Sequence, residues 1–313
     1  MKHLHLIPDG TKFRFLRLRK FAYVISGTAI VLSIITFFAM GLNYGIDFKG
    51  GTLLQIETQD GPADIGKLRT TLRGLKLGDV QIQLFGKPTE VLIRIEQQRS
   101  DKEDTKVIQE VKQALGDKIT YHRVETVGAK VSGELVESGV EAVSLAILAV
   151  LVYIWFRFEW QFGVGAVVAL VHDVVLTIGV FSALQLEFNL SIIAAILTIV
   201  GYSLNDTVVV YDRVRENLRR YKKMPLVDLI DKSLNDTLSR TLMTSLTTLI
   251  ALGSLYAFGG EVIRGFTFGM IWGIVVGTYS SIFIASPVLM ILGVKRDWNT
   301  GSQKPTDGNQ AVV

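Results

Sequence analysis

The chain contains no cysteine, which excludes disulfides and thiolate metal sites. Charge is missing over long stretches: residues 21–42, 241–260 and 265–294 carry no Asp, Glu, Lys or Arg. No Ala-x-Ala-like cleavage site follows the first of these runs, which is also too long for the apolar centre of a signal peptide, so it reads as a permanent helix. Paired carboxylates, a metal-ligand cluster and a nucleophile–base pair are absent as well, and an enzyme is not expected. No cofactor is expected either, beyond protons as a coupling ion.

What is present is apolar. Of 313 residues, 49% are hydrophobic, with mean hydropathy +0.37. About 20 apolar residues cross the ~30 Å of bilayer hydrocarbon. Three further windows qualify besides the charge-free ones. Residues 142–156 extend backward past Glu141, residues 162–186 are interrupted by His172 and Asp173, and residues 192–211 contain Asp206. Six spans result. Lys and Arg mark the cytoplasmic side. Residues 1–20 carry six of them, beginning with Lys2, and residues 212–240 carry eight. The opposite connections, 185–189 and 260–264, hold only Arg264. Both termini are therefore expected in the cytoplasm. This placement accounts for the net charge of +4 without a nucleic-acid partner. The expected organisation is a cytoplasmic N-terminus (1–20), a first span (21–42), an external domain (43–133), five further spans (134–294) with a cytoplasmic loop at 212–240, and a polar, disordered cytoplasmic tail (295–313).

The external segment reads as strand 52–58, helix 64–75, strand 80–85, a turn at Gly86-Lys87-Pro88, strand 90–96, helix 102–115 and strand 119–127. That order is β-α-β-β-α-β, the split ferredoxin-like arrangement. His122, alone on a strand, reads as structural or exposed. Before the first strand stands Gly45-Ile46-Asp47-Phe48-Lys49-Gly50-Gly51. Gly45, Gly50 and Gly51 around Asp47 suit a tight turn where the chain leaves the membrane; the phosphate-loop spacing is absent.

Asp206 is the most informative residue. A carboxyl inside a span costs at least about 2.5 kcal/mol on insertion scales, so such a group is a functional-site hypothesis by default. Apolar burial favours the protonated carboxyl and a nearby cation favours the ionised one, so a site that switches surroundings can load and release a proton. Tyr202 and Ser203 lie four and three residues before Asp206 on the same helical face, placed to bond the carboxyl or hold a water beside it. Asn205 and Thr207 flank it. Arg240, which precedes the hydroxyl-rich fifth span with Thr241, Thr244, Ser245, Thr247 and Thr248, is the candidate counter-charge; a flank residue on the cytoplasmic side is the plainer reading. His172 and Asp173 are secondary candidates. Adjacent helix residues point about 100° apart, so one is expected to face the bundle while the other bonds a neighbouring backbone.

Residues 226–238 carry Leu226, Leu229, Ile230, Leu234 and Leu238 on one face and read as a helix lying in the cytoplasmic interface, with Pro225 at its start. Residues 219–223 are basic enough to touch anionic lipid. Gly269, Gly273 and Gly277 recur every four residues, a spacing for close helix contact, and Pro287 is placed to bend the last span.

Together the single first helix, GIDFKGGT, the βαββαβ insert, five further helices and GYSLNDTVVVYDRVREN resemble the SecF branch of the SecD/SecF family, within the RND superfamily. The likeness runs from residue 12 to about 297. It implies an α-helical membrane protein, an RND-like half-transporter of six transmembrane helices with an external ferredoxin-like α+β domain, in the bacterial cytoplasmic (inner) membrane. It implies work with SecD beside the SecYEG channel, in some members with YajC and YidC, and preproteins as substrates drawn outward by the proton-motive force. Asp206 matches the family's proton-linked aspartate and Arg240 the arginine that accompanies it. Two other functions fit the architecture less well: a brace of the translocon without proton coupling, and an RND-type exporter of small molecules or lipids, which ordinarily needs a second repeated half.

Overall fold

The computed structural model describes residues 11–95 and 101–294. The expected tail 295–313, residue Lys2 and the strand end at Glu96 lie outside the described residues. Among the described residues, six helical stretches are long and apolar enough to cross a membrane.

The first long helix, α1 (Arg19–Met40), ends at Gly41, whose φ of 68° releases the chain from helical geometry. A two-residue strand β1 (Asn43–Tyr44) and a one-turn helix α2 (Ile46–Lys49) follow. Gly50 and Gly51, at φ 71° and 112°, turn the chain into β2 (Gly51–Thr58). The segment expected as a simple turn thus contains a helical turn between its glycines. Next come α3 (Ile65–Gly74), β3 (Val80–Phe85), β4 (Lys87–Ile95), α4 (Asp101–Leu115) and β5 (Ile119–Val127). The four strands form one antiparallel sheet in the order β3-β4-β2-β5, which is the ferredoxin-like order. Gly86 alone, at φ 76°, makes the hairpin turn. Lys87 and Pro88 already belong to β4, because a left-handed glycine closes the hairpin without them.

Leu54, Ile56, Val91, Ile93 and Ile95 on one sheet face pack with Leu68 and Leu72 of α3 and Val107 and Val111 of α4. The period of two sends Leu53 and Leu92 to the other face, where they meet Ile46 of α2. Burial of both faces seats the domain on the end of the helix bundle.

The bundle continues with α5 (Ala129–Arg157), α6 (Trp160–Ala183), the short strand β6 (Glu187–Phe188), α7 (Leu190–Arg220), α8 (Leu226–Phe258), α9 (Arg264–Ser280), a π-helical turn (Ser281–Ala285) and α10 (Ser286–Leu292). The π turn lies just before Pro287, whose missing N–H and ring interrupt the regular helical ladder. Close packing of α9 on α7 rests on the glycines. A Cβ on Gly273 would stand 2.2 Å from Ile199, and one on Gly277 would stand 3.0 Å from Ser203.

Two expectations for the 212–240 region are corrected. It is not a loop: α7 runs to Arg220 and α8 starts at Leu226. Nor is 226–238 a separate interfacial helix. It is the N-terminal part of α8, and its apolar face is buried against α7 and Leu16. The segment before α1 is tied there too, by Leu16 N–H to Asp231 Oδ1 at 2.9 Å and Phe13 N–H to Asn235 Oδ1 at 2.9 Å. Hydropathy does not separate a lipid-facing stripe from a protein-facing one.

Candidate functional site

The apolar packing of the bundle is interrupted at mid-height. Along α7 the buried apolar residues include Ala195, Ile199 and Val200 on the side of the α/β domain and Val210, Tyr211 and Val214 on the other. Ser203, Asp206 and Thr207 lie between them and are buried. On α6, His172 and Asp173 are buried between Leu170 and Leu176, with Thr177 beside them. Near the α9–π junction Ser280 and Ser281 are buried as well.

Asp206 is 7% exposed. Its Oδ1 accepts from Thr241 Oγ1 at 2.6 Å and its Oδ2 from Ser281 Oγ at 2.5 Å. Both donors are neutral and come from other helices, α8 and the π turn. Arg240 adjoins Thr241 on α8 and is near enough for its charge to act on Asp206. It makes no ion pair within 4.0 Å among the described residues, and its side chain is exposed on the outside of the bundle.

The second centre is Asp173, 1% exposed. Its Oδ2 accepts from Ser203 Oγ at 2.6 Å and Ser280 Oγ at 2.8 Å, and its Oδ1 meets His172 Nδ1 at 2.9 Å. His172 Nε2 reaches Ser26 Oγ of α1 at 3.2 Å, and Ser26 meets Tyr279 OH at 2.9 Å. Both residues of the His172–Asp173 pair therefore face the bundle, bonded to each other and to side chains rather than to a neighbouring backbone. The rotation of α6 buries both, since α1, α7 and α9 pack on different sides of it. Ser280 and Ser281 are sequence neighbours that bond Asp173 and Asp206 respectively, so the two carboxyls share one short piece of backbone. The π turn begins there, which is where such turns often mark functional sites.

The expected helpers divide. Ser203 serves Asp173, not Asp206. Tyr202 OH donates to Ser245 Oγ at 3.3 Å, and Ser245 meets Thr278 Oγ1 at 2.7 Å. Neighbours three or four residues apart on a helix both point outward, and a short Asp side chain finds closer partners on the next helix. Thr207 is buried and Asn205 is exposed. Thr244 Oγ1 donates to Arg240 and Thr241 carbonyls at 3.0 and 2.9 Å. Thr241 stood unselected among the fifth span's hydroxyls. Ser281, Ser280 and Ser26 were missed; the available signal was a serine, or a serine pair, inside an otherwise apolar span. Among the described residues no three His, Asp or Glu side chains converge as a metal site requires.

The glycine motif is built into the bundle. Gly45 N–H donates to Phe188 O at 2.8 Å, and a Cβ on Gly45 would stand 2.8 Å from Glu187 Oε1. Asp47 Oδ2 accepts from Leu190 N–H at 2.9 Å, so it caps the first turn of α7 beside Asn189. Arg94 of β4 binds Glu187 at 2.5 Å and Asn43 at 3.2 Å. The α/β domain and the helix that carries Asp206 are thereby joined at one corner. A cavity of about 420 Å³ opens beside it, walled by Asp47, Phe85, Arg123 and Glu125 on one side and by Glu187, Glu261 and Arg264 on the other.

Comparison with known proteins agrees with this architecture. The family description "Protein export membrane protein SecD/SecF, C-terminal" matches residues 106–295, and "SecD/SecF GG Motif" matches residues 35–61. The chain is 44% identical over 315 residues to the protein translocase subunit SecF of Cereibacter sphaeroides, covering 96% of this chain and 97% of that one. It is 45% identical over 323 residues to that of Rhodobacter capsulatus, covering 97% and 95%. Among solved structures, SecDF from Thermus thermophilus, a translocon-associated membrane protein, superposes with a TM-score of 0.82 at 37% identity, over 90% of this chain and 39% of that one. SecDF in a super-membrane-facing form gives a TM-score of 0.64 at 33% identity, over 91% and 39%. This chain thus spans about two fifths of the solved SecDF chains. Six long apolar helices and this kinship make it a multi-pass membrane protein.

Proposed function

Because the chain belongs to the SecD/SecF family of protein export membrane proteins, we propose that it is a Sec translocase subunit that couples proton movement to late steps of preprotein export. It works with a SecD-like subunit, which supplies what the solved SecDF chains contain beyond the two fifths matched here. The SecYEG channel, and in some settings YajC and YidC, are the further partners, and the bacterial cytoplasmic membrane is the site, with both termini on the cytoplasmic face. Protons are the coupling ion.

One observation carries this reading: a carboxyl enclosed at mid-bundle and held only by neutral hydroxyls. Thr241 and Ser281 can each reverse from donor to acceptor, so Asp206 can gain a proton without breaking its contacts. Arg240 faces outward next to it, toward the position where a partner's helices would bring a wet or charged surface. Moving one charge across ~100 mV is worth about 2.3 kcal/mol, enough to bias two arrangements that differ by a few kcal/mol. The Asp47 cap gives such a change a route to the α/β domain. The same share of this chain fits two solved SecDF forms to different degrees, which supports an architecture with more than one arrangement.

The test is Asp206→Asn in proteoliposomes containing the SecD-like partner and the channel. The variant should insert and co-purify normally while proton flux and gradient-stimulated export fall to background. Full flux in Asp206→Asn would favour the brace without proton coupling.

A further inference from the structure

The chain before α1 touches both elements that give Asp206 its hydroxyls. Residues 13–18 form a short strap that ends in a 3₁₀ turn, Phe15–Leu18. On one side the strap is clipped to α8. Asn235 and Phe13 bond in both directions, Phe13 N–H to Asn235 Oδ1 at 2.9 Å and Asn235 Nδ2 to the Phe13 carbonyl at 2.8 Å. Asp231, one turn earlier on α8, accepts from Leu16 N–H at 2.9 Å. Leu16 is fully buried in the cluster that holds Leu234 and Leu238 of α8. On its other side the strap meets the π turn, where the Phe15 ring stands edge-on to Phe283 with centroids 6.1 Å apart. Where the strap has passed into α1, Tyr279 OH donates to the Ala22 carbonyl at 3.1 Å and lies 2.9 Å from Ser26 Oγ.

These contacts fall close to the site. Asn235 precedes Thr241 by six residues, about 9 Å along the axis of the same helix. Tyr279 and Phe283 each lie two residues from Ser281. Two donors carried by different elements reach one carboxyl only while those elements keep their spacing, because a hydrogen bond weakens steeply once it is stretched or bent. Toward the α/β domain the spacing of α8 and α9 is fixed by a direct bond, Ser245 Oγ to Thr278 Oγ1 at 2.7 Å. On the opposite side of Asp206 the strap bridges the two.

We propose that residues 13–18 are a positioning element of this site: by holding α8 and the π turn at one spacing, the strap keeps Thr241 and Ser281 on the Asp206 carboxyl. Asn235 and Phe15 are the positioning residues, one for each side of the bridge. A strap that only fastened the start of the chain would use Asp231 and Asn235 and would have no need of a ring against the element that carries Ser281. The consequence for export rests on the proton-coupled role given to Asp206 above; the effect on the carboxyl itself does not.

Infrared difference spectra of the purified full chain, taken between acid and neutral pH, provide the test. The carbonyl stretch of protonated Asp206 is the band lost in Asp206→Asn, and a protonated carboxyl absorbs at higher wavenumber when it loses hydrogen bonds. N235A and F15A should each move that band upward. R17A, at an exposed position on the same strap, should leave it in place. If F15A does not insert, F15L reads the same contact, since it keeps apolar bulk and removes the ring. A band unmoved in N235A and in F15A or F15L would overturn the strap's role, and so would a band moved as far by R17A. In proteoliposomes with the SecD-like partner and the channel, N235A should slow proton flux without abolishing it. A moved band with unchanged flux would uphold the strap as a positioning element and count against proton coupling through Asp206.

Discussion

The α/β domain and the middle of the helix bundle place their carboxylates in opposite ways. In the domain the acids lie at the surface against cations: Glu57 with His122 at 2.8 Å, Lys118 with Asp60 at 2.6 Å, Lys87 with Glu90 at 2.8 Å. In the bundle Asp206 and Asp173 are 7% and 1% exposed, and among the described residues neither pairs with a lysine or arginine. Hydroxyls hold them, with the His172 ring bonded to Asp173 and the Arg240 charge acting on Asp206 from outside hydrogen-bond reach. Water screens the surface pairs, and each is worth at most about 1 kcal/mol. A carboxyl held by hydroxyls in a dry interior is different, because a change in its surroundings becomes a change in its protonation. The domain's acids are ordinary surface chemistry; under the proposed function, Asp206 is where energy enters.

The sharpest break between the regions is expected at Asp173. Asp173→Ala leaves Ser203, Ser280 and His172 without their acceptor, and a buried group stranded in this way costs about 1–3 kcal/mol. Detergent-solubilised protein should lose thermal stability strongly or fail to accumulate, whereas Asp206→Asn, which keeps an acceptor and a donor in place, should melt near the wild-type temperature. Equal melting of the two variants would remove the distinction between a structural and a functional acid.

A smaller effect is expected at the join between the regions. Asp47→Ala deletes one cap of α7, a loss of about 1 kcal/mol. Hydrogen exchange should quicken at the first turn of α7, near Leu190, and export should slow while proton-site mutants remain more severe. Unchanged exchange there would show that Asn189 suffices and that the domain is not joined to α7 through Asp47.

The smallest effect belongs to the domain. The hydrogen bond from His122 holds the Glu57 carboxyl below the usual glutamate range. A depressed carboxyl stabilises the fold above its unfolded value, and this contribution disappears as pH falls through the lowered native one. In the full chain, exchange at β2 and β5 amides should rise slightly over that acid interval, and Glu57→Gln should flatten the dependence. A large effect there would mean that the domain's acids are not the ordinary surface groups described.

Much of this was legible in the sequence because the signals are local. Strands 80–85 and 119–127 alternate and are found at those bounds, and each charge-free window lies in a helix except for its last two residues. The site was only half legible. Asp206 stood out through the cost of its burial, but its partners depend on how α8 and the π turn are rotated toward α7, which no local period records. Ser281 lies inside a thirty-residue apolar run, and nothing in that run shows which serine turns inward. The stripe at 226–238 was misread because a bilayer and a protein core accept the same leucines. His172 and Asp173 were underrated because their angular separation was treated as an obstacle, whereas α1, α7 and α9 surround α6 widely enough to serve both.

Infrared difference spectroscopy on the reconstituted complex, comparing a proton-loaded with a discharged membrane, tests the central claim most directly. A protonated-carboxyl band should appear and vanish with the gradient, disappear in Asp206→Asn, and shift in Asp206→Glu. A band that persists unchanged in Asp206→Asn, or no titrating carboxyl at all, would contradict it.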